Sequence, residues 1–326
     1  MAATRFGFRI VGGCFEERRL VDWSAAFLAY CRCDEQAHVK REAYLSAFVF
    51  GPDFRKWLDD TGSVRDFVGA CWSPWIWWDI DREGDIEHAR RDTARLALHL
   101  DERYRLPDDG LLLFVSGGKG FHVGLPTSLF APEPSPIFHK VARHFAGVCA
   151  ERSAVTIDDG VYDRVRAFRA PNSRHPKTGL HKRRLTLDEV LRLSTDAILK
   201  LGAEPLPFDL PEPIGTNTEA VQDWLEAVET VEREAKAVAV RHAQSNGKAT
   251  LNRRTLEFIR DGANNGDRHR LLYSAARNLG ECGSSFELAF ALLSEAALDS
   301  GLSPNEVRRQ IECGICDVGK TEGNAP

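Results

Sequence analysis

The chain contains 326 residues and carries a formal net charge of −5, from 43 Lys and Arg against 48 Asp and Glu. Its 43% hydrophobic and 28% charged residues are typical of globular proteins and exclude disordered, collagen-like and low-complexity classes. The length favours about two domains. No window is as long and apolar as a membrane span, the first residues lack a signal-peptide pattern, and eight cysteines are too few for a disulfide scaffold. We therefore expect a reduced, cytoplasmic protein with no membrane partner.

Hydrophobic periodicity predicts a mixture of strands and helices in the first part of the chain. The clearest strand is the aromatic and β-branched run WIWWDID, and Asp85 stands at the N-cap position of the helix that follows it. In chain order, the predicted elements are a helix over 23–30, a strand over 43–50, a strand over 75–81, a helix over 85–103, strands over 111–115 and 121–125, a helix over 136–152, a strand over 180–186 and a largely helical segment over 188–200.

A cluster of four prolines marks the predicted domain boundary. Pro205, Pro207, Pro211 and Pro213 fall so close together that neither a helix nor a central strand continues through them. Beyond them, apolar residues recur at three- and four-residue steps from Val221 onward, and later segments read as helices separated by glycines. We expect a mixed domain over 1–203, a Pro-rich linker over 204–217 and a helical domain over 218–326.

Two carboxylates end the strand over 75–81. Side chains two residues apart on a strand point to the same face, so Asp79 and Asp81 project together, while Ile76, Trp78 and Ile80 face the other way. Neighbouring carboxylates repel unless a cation lies between them, and hard oxygen ligands suit Mg²⁺ or Mn²⁺. An exposed strand end often carries acids, so this pair alone is weak evidence for a metal site.

A glycine-rich turn links the next two predicted strands. It contains Ser116, Gly118 and Lys119 and runs into His122. Glycines let backbone N–H groups approach an anion closely, and the lysine adds a positive charge. The turn is not a P-loop, because no Ser or Thr follows the lysine and a strand rather than a helix comes next. The pattern favours a phosphate site, although a lone histidine in such a place is often structural.

A local basic patch stands out in a chain that is acidic overall. Residues 158–184 carry a net charge of +5, although they begin with Asp158 at the end of a strand-like stretch. The middle of this segment reads as a turn that presents Arg169, His175 and Lys177, and separated cations of this kind suit a triphosphate. Three carboxylates holding two metal ions, opposite cations for a triphosphate, are what nucleotidyl transfer requires.

These three segments, in this order, resemble the archaeo-eukaryotic primase superfamily. Residues 77–81 (WWDID) match its hhDxD motif, residues 116–122 (SGGKGFH) match SGxxGxH, and Asp158 followed by residues 169–179 (RAPNSRHPKTG) matches the third motif. The resemblance implies an α+β fold, with an RRM-like primase-polymerase catalytic domain followed by an all-α C-terminal domain. It also implies that the metals are held by Asp79, Asp81 and Asp158, and the nucleotide by Ser116, Gly118, Lys119, His122, Arg169, Ser173, His175 and Lys177.

Cysteine positions limit the metal content that the resemblance implies. Many primase small subunits carry a zinc site between the second and third motifs, but here that interval contains only Cys149. We therefore expect two Mg²⁺ or Mn²⁺ ions and no structural zinc. Near the C-terminus, Cys313 and Cys316 form a CxxC without a second pair nearby, and we interpret both as packing residues of a helix.

The resulting functional hypothesis is a template-dependent nucleotidyltransferase, either a DNA primase or a primase-polymerase, acting on single-stranded or primed DNA with NTP or dNTP. A replicative helicase is a possible partner. The alternatives are a stand-alone repair polymerase of the end-joining type and, in a different class, a non-catalytic nucleic-acid-binding replication factor. Three intact acids disfavour the last of these.

Overall fold

The computed structural model describes residues 5–244, 250–264 and 266–322. They form a mixed helical and antiparallel-sheet region followed by a helical region. The strands are β1 Phe6–Val11, β2 Arg19–Asp22, β3 Ala43–Ser46, β4 Val49–Phe50, β5 Cys71–Trp72, β6 Trp75–Asp81, β7 Leu112–Val115, β8 Gly120–Pro126, β9 Ala167–Arg169 and β10 Arg183–Leu185. The helices are α1 Trp23–Arg32, α2 Pro52–Thr61, α3 Ile86–Tyr104, α4 Phe138–Arg152, α5 Leu187–Arg192, α6 Thr195–Leu201, α7 Thr218–Gln244, α8 Arg253–Asp261, α9 Arg268–Glu281, α10 Phe286–Asp299 and α11 Pro304–Glu322.

Two antiparallel sheets carry the first part of the chain. The N-terminal sheet has the order β5-β4-β1-β3-β9, with β2 paired to the other side of β1. The second sheet has the order β10-β7-β8-β6, and its register places Asp79 opposite His122 and Asp81 opposite Gly120. The strand predicted over residues 75–81 is therefore confirmed with its predicted bounds.

The two faces of β6 have different neighbours, as alternation along a strand requires. On one face, Trp78 is fully buried and its Nε1 donates to the carbonyl oxygen of Ala146 on α4. On the opposite face, the ring of Trp77 lies 5.4 Å from that of Phe168, which belongs to the N-terminal sheet. Asp79 and Asp81 share this second face, so their side chains face the space between the two sheets.

An extended segment, residues 155–158, runs beside β6 without forming a regular strand. The N–H of Asp158 donates to the carbonyl oxygen of Asp79 at 2.9 Å. The second sheet and the helices that connect its central strands thus follow the chain order β6, α3, β7, β8, α4 and this segment. β10 is added at the edge of the sheet, beside β7. The third predicted carboxylate consequently reaches the end of the strand that carries the first two.

The proline-rich segment has no regular secondary structure, but it is hydrogen-bonded to the rest of the first unit. Residues 205–217 have no regular secondary structure, yet the N–H of Phe208 donates to Cys31 O and the N–H of Asn217 donates to Leu129 O. The first turns of α7 then pack on the same core, where the ring of Trp224 stacks on Phe130 at 4.6 Å. The two compact units are accordingly Met1–Glu232 and Arg233–Pro326, a division that lies within α7 rather than at 204–217.

A buried carboxylate on α7 reinforces this packing. Asp223 accepts hydrogen bonds from Arg103, Tyr104 and Arg152, all of which belong to the first unit. Burial alone would raise the pKa of Asp223, but these three donors hold it below its usual value. The apolar and ionic contacts together explain why the first unit continues past the prolines.

The second unit is helical, as expected, and α8 to α11 share a small apolar core. The helices α9 and α11 approach closely at Gly314, where a Cβ would lie 2.7 Å from that of Ala276. Cys313 and Cys316 flank this contact but are exposed, so their interpretation as packing residues is wrong. None of the helices in the described part of the chain combines the length and apolarity that a membrane crossing requires.

We expect a fragment ending at residue 232 to be much more stable than one ending at 203. The shorter fragment lacks Trp224 and exposes Phe130, Phe138 and Phe145, which pack against its ring. Within the longer fragment, Trp224→Ala should cost about 3–5 kcal/mol, as large-to-small changes of buried aromatic residues do. Thermal and denaturant unfolding of the three proteins tests this. Equal stability of the 1–203 and 1–232 fragments would return the boundary to the proline cluster.

Candidate active site

A cleft of about 940 Å³ lies between the two sheets of the first unit. Its walls combine acids from the end of β6 with cations from the glycine turn and from the segment after β9. Among the predicted site residues, those that line it are Asp79, Asp81, Ser116, Gly118, Lys119, His122, Arg169, His175 and Lys177. The fold thus brings the first two motifs and the basic turn of the third into one cavity.

Asp79 and Asp81 are held in different electrostatic environments. Burial, together with the charges of Asp79 and Asp158, raises the pKa of Asp81 to about 6 against the opposing effect of Lys119. The Nζ of Lys119 lies 3.5 Å from Oδ2 of Asp81. Burial also opposes ionisation of Asp79, but His122 and the nearby cations Lys182 and Arg166 lower its pKa below the usual value. The pair therefore favours one negative charge over two near pH 6.

His122 supports the more buried of these two carboxylates. Its Nε2 lies 3.4 Å from Oδ1 of Asp79, longer than a strong hydrogen bond. Burial and the charge of Lys182 lower the pKa of His122 to about 4, so the imidazole is neutral at pH 7. Within the described residues, Oδ1 of Asp79 and Nδ1 of His122 are buried without a hydrogen-bond partner. Unsatisfied buried atoms are uncommon in native proteins, and in this cleft a bound ion, ligand or ordered water can complete them.

The glycine turn is shaped by its own serine. The hydroxyl oxygen of Ser116 accepts the N–H groups of Gly118 at 3.2 Å and Gly120 at 3.3 Å. Gly120 has to be glycine, because a Cβ there would lie 2.2 Å from the carbonyl oxygen of Ile80. Ser116 is buried, so its visible role is to shape the loop, and Lys119 is left at the rim with a half-exposed side chain.

The basic turn of the third motif closes over the glycine turn. The hydroxyl of Thr178 donates to the carbonyl oxygen of Gly117, and Nε2 of His175 would lie 3.0 Å from a Cβ at Gly118. Nδ1 of His175 accepts the N–H groups of Lys177 and Thr178, which leaves Nε2 as the protonated nitrogen of the neutral ring. Burial and the charge of Arg169 lower the pKa of His175. His175 therefore offers an N–H donor beside Gly118.

Arg169 and Ser173 occupy very different places. The guanidinium of Arg169 lies 5.2 Å from the ring centroid of Tyr44 and lines the cleft. Ser173 is fully buried, with its hydroxyl 2.8 Å from Ala170 O and 3.2 Å from Ala43 O. Because that hydroxyl donates within the protein, Ser173 is not brought to the cleft, and we assign it a structural role in the turn.

The three acids that follow residue 157, Asp158, Asp159 and Asp163, have different surroundings. Asp158 is joined to β6 through its backbone, and its exposed carboxylate accepts the N–H of Gly160 at 2.8 Å. Asp159 forms an ion pair with Arg143 on α4. Asp163 lines the cleft, whereas Asp158 lies outside its lining. Asp158 is nevertheless close enough for its charge to raise the pKa of Asp81.

Lys182 is a feature of the site that the sequence reasoning did not single out. Its side chain is fully buried, and its Nζ lies 4.3 Å from the ring centroid of Phe168 and 5.1 Å from that of Trp77. The Nζ donates to the carbonyl oxygen of Arg169 at 2.9 Å. Burial lowers the pKa of Lys182 well below its usual value, an effect that the charge of Asp79 opposes. The basic patch contained this residue, but no pattern distinguished it from exposed lysines.

The carboxylate oxygens fit the divalent cations that the resemblance implies. Oδ1 of Asp79 lacks a donor, and Asp81 is destabilised as an anion, two conditions that a bound cation relieves. Across residues 5–244, 250–264 and 266–322, however, no three His, Cys, Asp or Glu side chains are already arranged as a metal site. Any third carboxylate ligand would have to turn toward the pair, and Asp158 is joined to Asp79 through its backbone.

We expect Asp81→Asn to raise the unfolding temperature of the metal-free protein. The pKa of Asp81 is about 6 in the folded state against an ordinary value of 3.8, so ionisation favours the unfolded state. This penalty is absent below pH 3.8, grows between pH 3.8 and 6, and is complete above pH 6. The variant should melt a few degrees higher at pH 8 in EDTA, with a smaller gain at pH 5. A lower melting temperature at pH 8 would show that Asp81 is structural.

No protein-family model and no curated protein matches the chain. Among solved structures, the chain is similar to the crystal structure of primase RepB′, with 13% sequence identity, a TM-score of 0.38, and coverage of 100% of this chain and 96% of the other. At this TM-score the likeness carries no argument about the site, and the assignment of function has to come from the residues of the cleft.

Proposed function

We propose that this protein is a template-dependent nucleotidyltransferase, a DNA primase or primase-polymerase of the archaeo-eukaryotic type. The observation that carries the proposal is the arrangement of the cleft. A carboxylate pair with an unsatisfied buried oxygen lines one cavity together with Lys119, Arg169, His175 and Lys177. Acids for divalent cations beside donors for a triphosphate are the two halves of a nucleotidyl-transfer site.

In this proposal, Asp79, Asp81 and Asp158 hold two Mg²⁺ or Mn²⁺ ions, which supply activation of the attacking 3′-oxygen and charge stabilisation at the α-phosphorus. The 3′-hydroxyl oxygen of a first nucleotide or primer attacks that phosphorus, and its proton is released to solvent. The bond from the α-phosphorus to the oxygen that bridges it to the β-phosphorus breaks, and pyrophosphate leaves. The chain itself binds and orients the triphosphate.

The glycine turn and the basic turn of the third motif each supply groups that would bind the triphosphate. Lys119 supplies a point charge at the rim, and His175 supplies an N–H beside the backbone of Gly118. Arg169 adds a planar guanidinium that lies over the ring of Tyr44, and the bond from Lys182 holds the backbone carbonyl of Arg169. His122, neutral and buried, orients Asp79 rather than adding charge. Preorganised donors of this kind reduce the reorganisation needed during reaction.

The rival functions make different predictions in one assay. Single-stranded circular DNA is supplied with labelled nucleotides and no primer, in Mg²⁺ or Mn²⁺. Product with NTPs alone identifies a primase, and product only with dNTPs identifies a primase-polymerase. Product only on annealed primers supports the end-joining repair alternative. DNA binding without any product would instead support a non-catalytic replication factor.

We expect the three neighbouring acids to differ sharply in single-nucleotide extension of a primed template. Asp158→Asn should abolish extension, because an amide keeps the shape but cannot supply the charge that holds a metal. Asp159→Asn is the matched control and should keep most activity, since its carboxylate pairs with Arg143. Asp163→Asn, at the cleft lining, should be intermediate. An active Asp158→Asn beside an inactive Asp163→Asn would reassign the third carboxylate.

We expect Lys119→Ala to raise the KM for the nucleotide more than it weakens template binding. Loss of one charge-assisted contact costs roughly 1.5–3 kcal/mol, hence about ten-fold or more in KM. Lys140→Ala, which removes an exposed lysine from α4 outside the cleft lining, is the control. Steady-state extension and DNA binding by fluorescence anisotropy separate the two effects. Unchanged KM with weakened DNA binding would move the glycine turn to the template groove.

A further inference from the structure

One arginine touches all three segments that form the acidic end of the cleft. Arg82 directly follows Asp81, and its backbone N–H donates to the carbonyl oxygen of Lys119 in the glycine turn at 3.3 Å. Its side chain reaches back along β6, where Nη1 donates to the carbonyl oxygen of Asp81 at 2.8 Å. Nη2 donates to the carbonyl oxygen of Thr156 at 2.9 Å, two residues before Asp158.

The same guanidinium is anchored by a buried acid. Nη2 of Arg82 also pairs with Oδ2 of Asp92, a residue of α3 whose side chain is 1% exposed. Asp92 is further contacted by Arg95 through Oδ1 and lies 3.4 Å from Nε2 of His88. A buried carboxylate persists only when it is paired and hydrogen-bonded, and here the pairing partner is the residue that holds two motif segments together.

The planar guanidinium of Arg82 can donate to several acceptors that lie in different directions. Three acceptors in different directions, two backbone carbonyl oxygens and one carboxylate, are served by two nitrogens of one rigid group. A lysine carries the same charge but presents a single ammonium, which cannot span the same acceptors. Among the described residues, the bond from Asp158 N–H to Asp79 O is the backbone contact that residues 155–158 make with β6. The Arg82–Asp92 pair, here called the clamp, is therefore their second attachment to the end of that strand.

We propose that Arg82 and Asp92 are positioning residues that set the distance between the third carboxylate, Asp158, and the pair formed by Asp79 and Asp81. The clamp acts through the backbone on both sides of the metal site: it hydrogen-bonds the carbonyl oxygens of Asp81 and Thr156, and not the carboxylates of the three acids. This inference rests on the proposed function, because it assumes that these three acids bind divalent cations. Its consequence is that the clamp controls the affinity for the metal more than the affinity for the nucleotide.

The test measures Mn²⁺ binding by the full chain directly, from the loss of the free-ion signal in electron paramagnetic resonance, without nucleotide or DNA. Arg82→Lys should bind Mn²⁺ about ten-fold more weakly, in the range seen when partners around metal ligands are removed. Arg95→Gln is the control, because it removes another ion pair of Asp92 but leaves the clamp in place. Melting temperatures report folding, and Asp92→Asn replaces Arg82→Lys if the latter does not fold.

A second readout separates positioning from a general structural defect. In single-nucleotide extension, saturating Mn²⁺ should return Arg82→Lys close to the wild-type kcat, with the nucleotide KM unchanged. Wild-type Mn²⁺ affinity in Arg82→Lys, or an equal loss in Arg95→Gln, overturns the proposal while leaving the proposed function intact. A wild-type protein that binds no Mn²⁺ overturns both.

Discussion

Two carboxylates on one face of a half-buried strand cannot both be charged without help, and the surroundings of Asp79 and Asp81 are arranged around that constraint. Burial disfavours the charge of each, and each charge disfavours the other. Lys119, Lys182 and His122 approach from three different elements, yet Oδ1 of Asp79 still lacks a hydrogen-bond donor among the described residues. The protein therefore retains unfavourable electrostatics that a simple salt bridge could have removed, a pattern that is characteristic of functional sites.

The end of β6 and the face that it presents could be predicted from sequence, because alternation along a strand has a period of two and the run WIWWDID is strongly apolar. The helix after it could also be predicted, and the side chain of Asp85 does accept the N–H of His88 as an N-cap. The order of the three motifs indicated which residues meet, and the cleft brings nine of the predicted residues together. These signals are local in sequence.

The features that escaped prediction depend on contacts between distant segments. Periodicity detected α7 but not the fact that its first turns belong to the first unit, which depends on Trp224 meeting aromatic residues some 80 positions earlier. Ser173 matched a motif, yet its hydroxyl is used internally. Lys182 looked like any member of a basic patch, because a sequence does not show that three aromatic rings surround one lysine.

The connection between the sheets has a mechanical consequence. β9 pairs with β3 of the N-terminal sheet, while β10, separated from β9 by only 13 residues, pairs with β7 of the second sheet. Residues 170–182 are thus a strap between the two walls of the cleft. Backbone bonds between Asn172 and Lys182, and between Lys182 and Ser173, close the strap at its base. Any widening of the cleft to admit a longer substrate is therefore limited by this strap, whose tip, residues 174–180, is itself bonded to the glycine turn through Thr178.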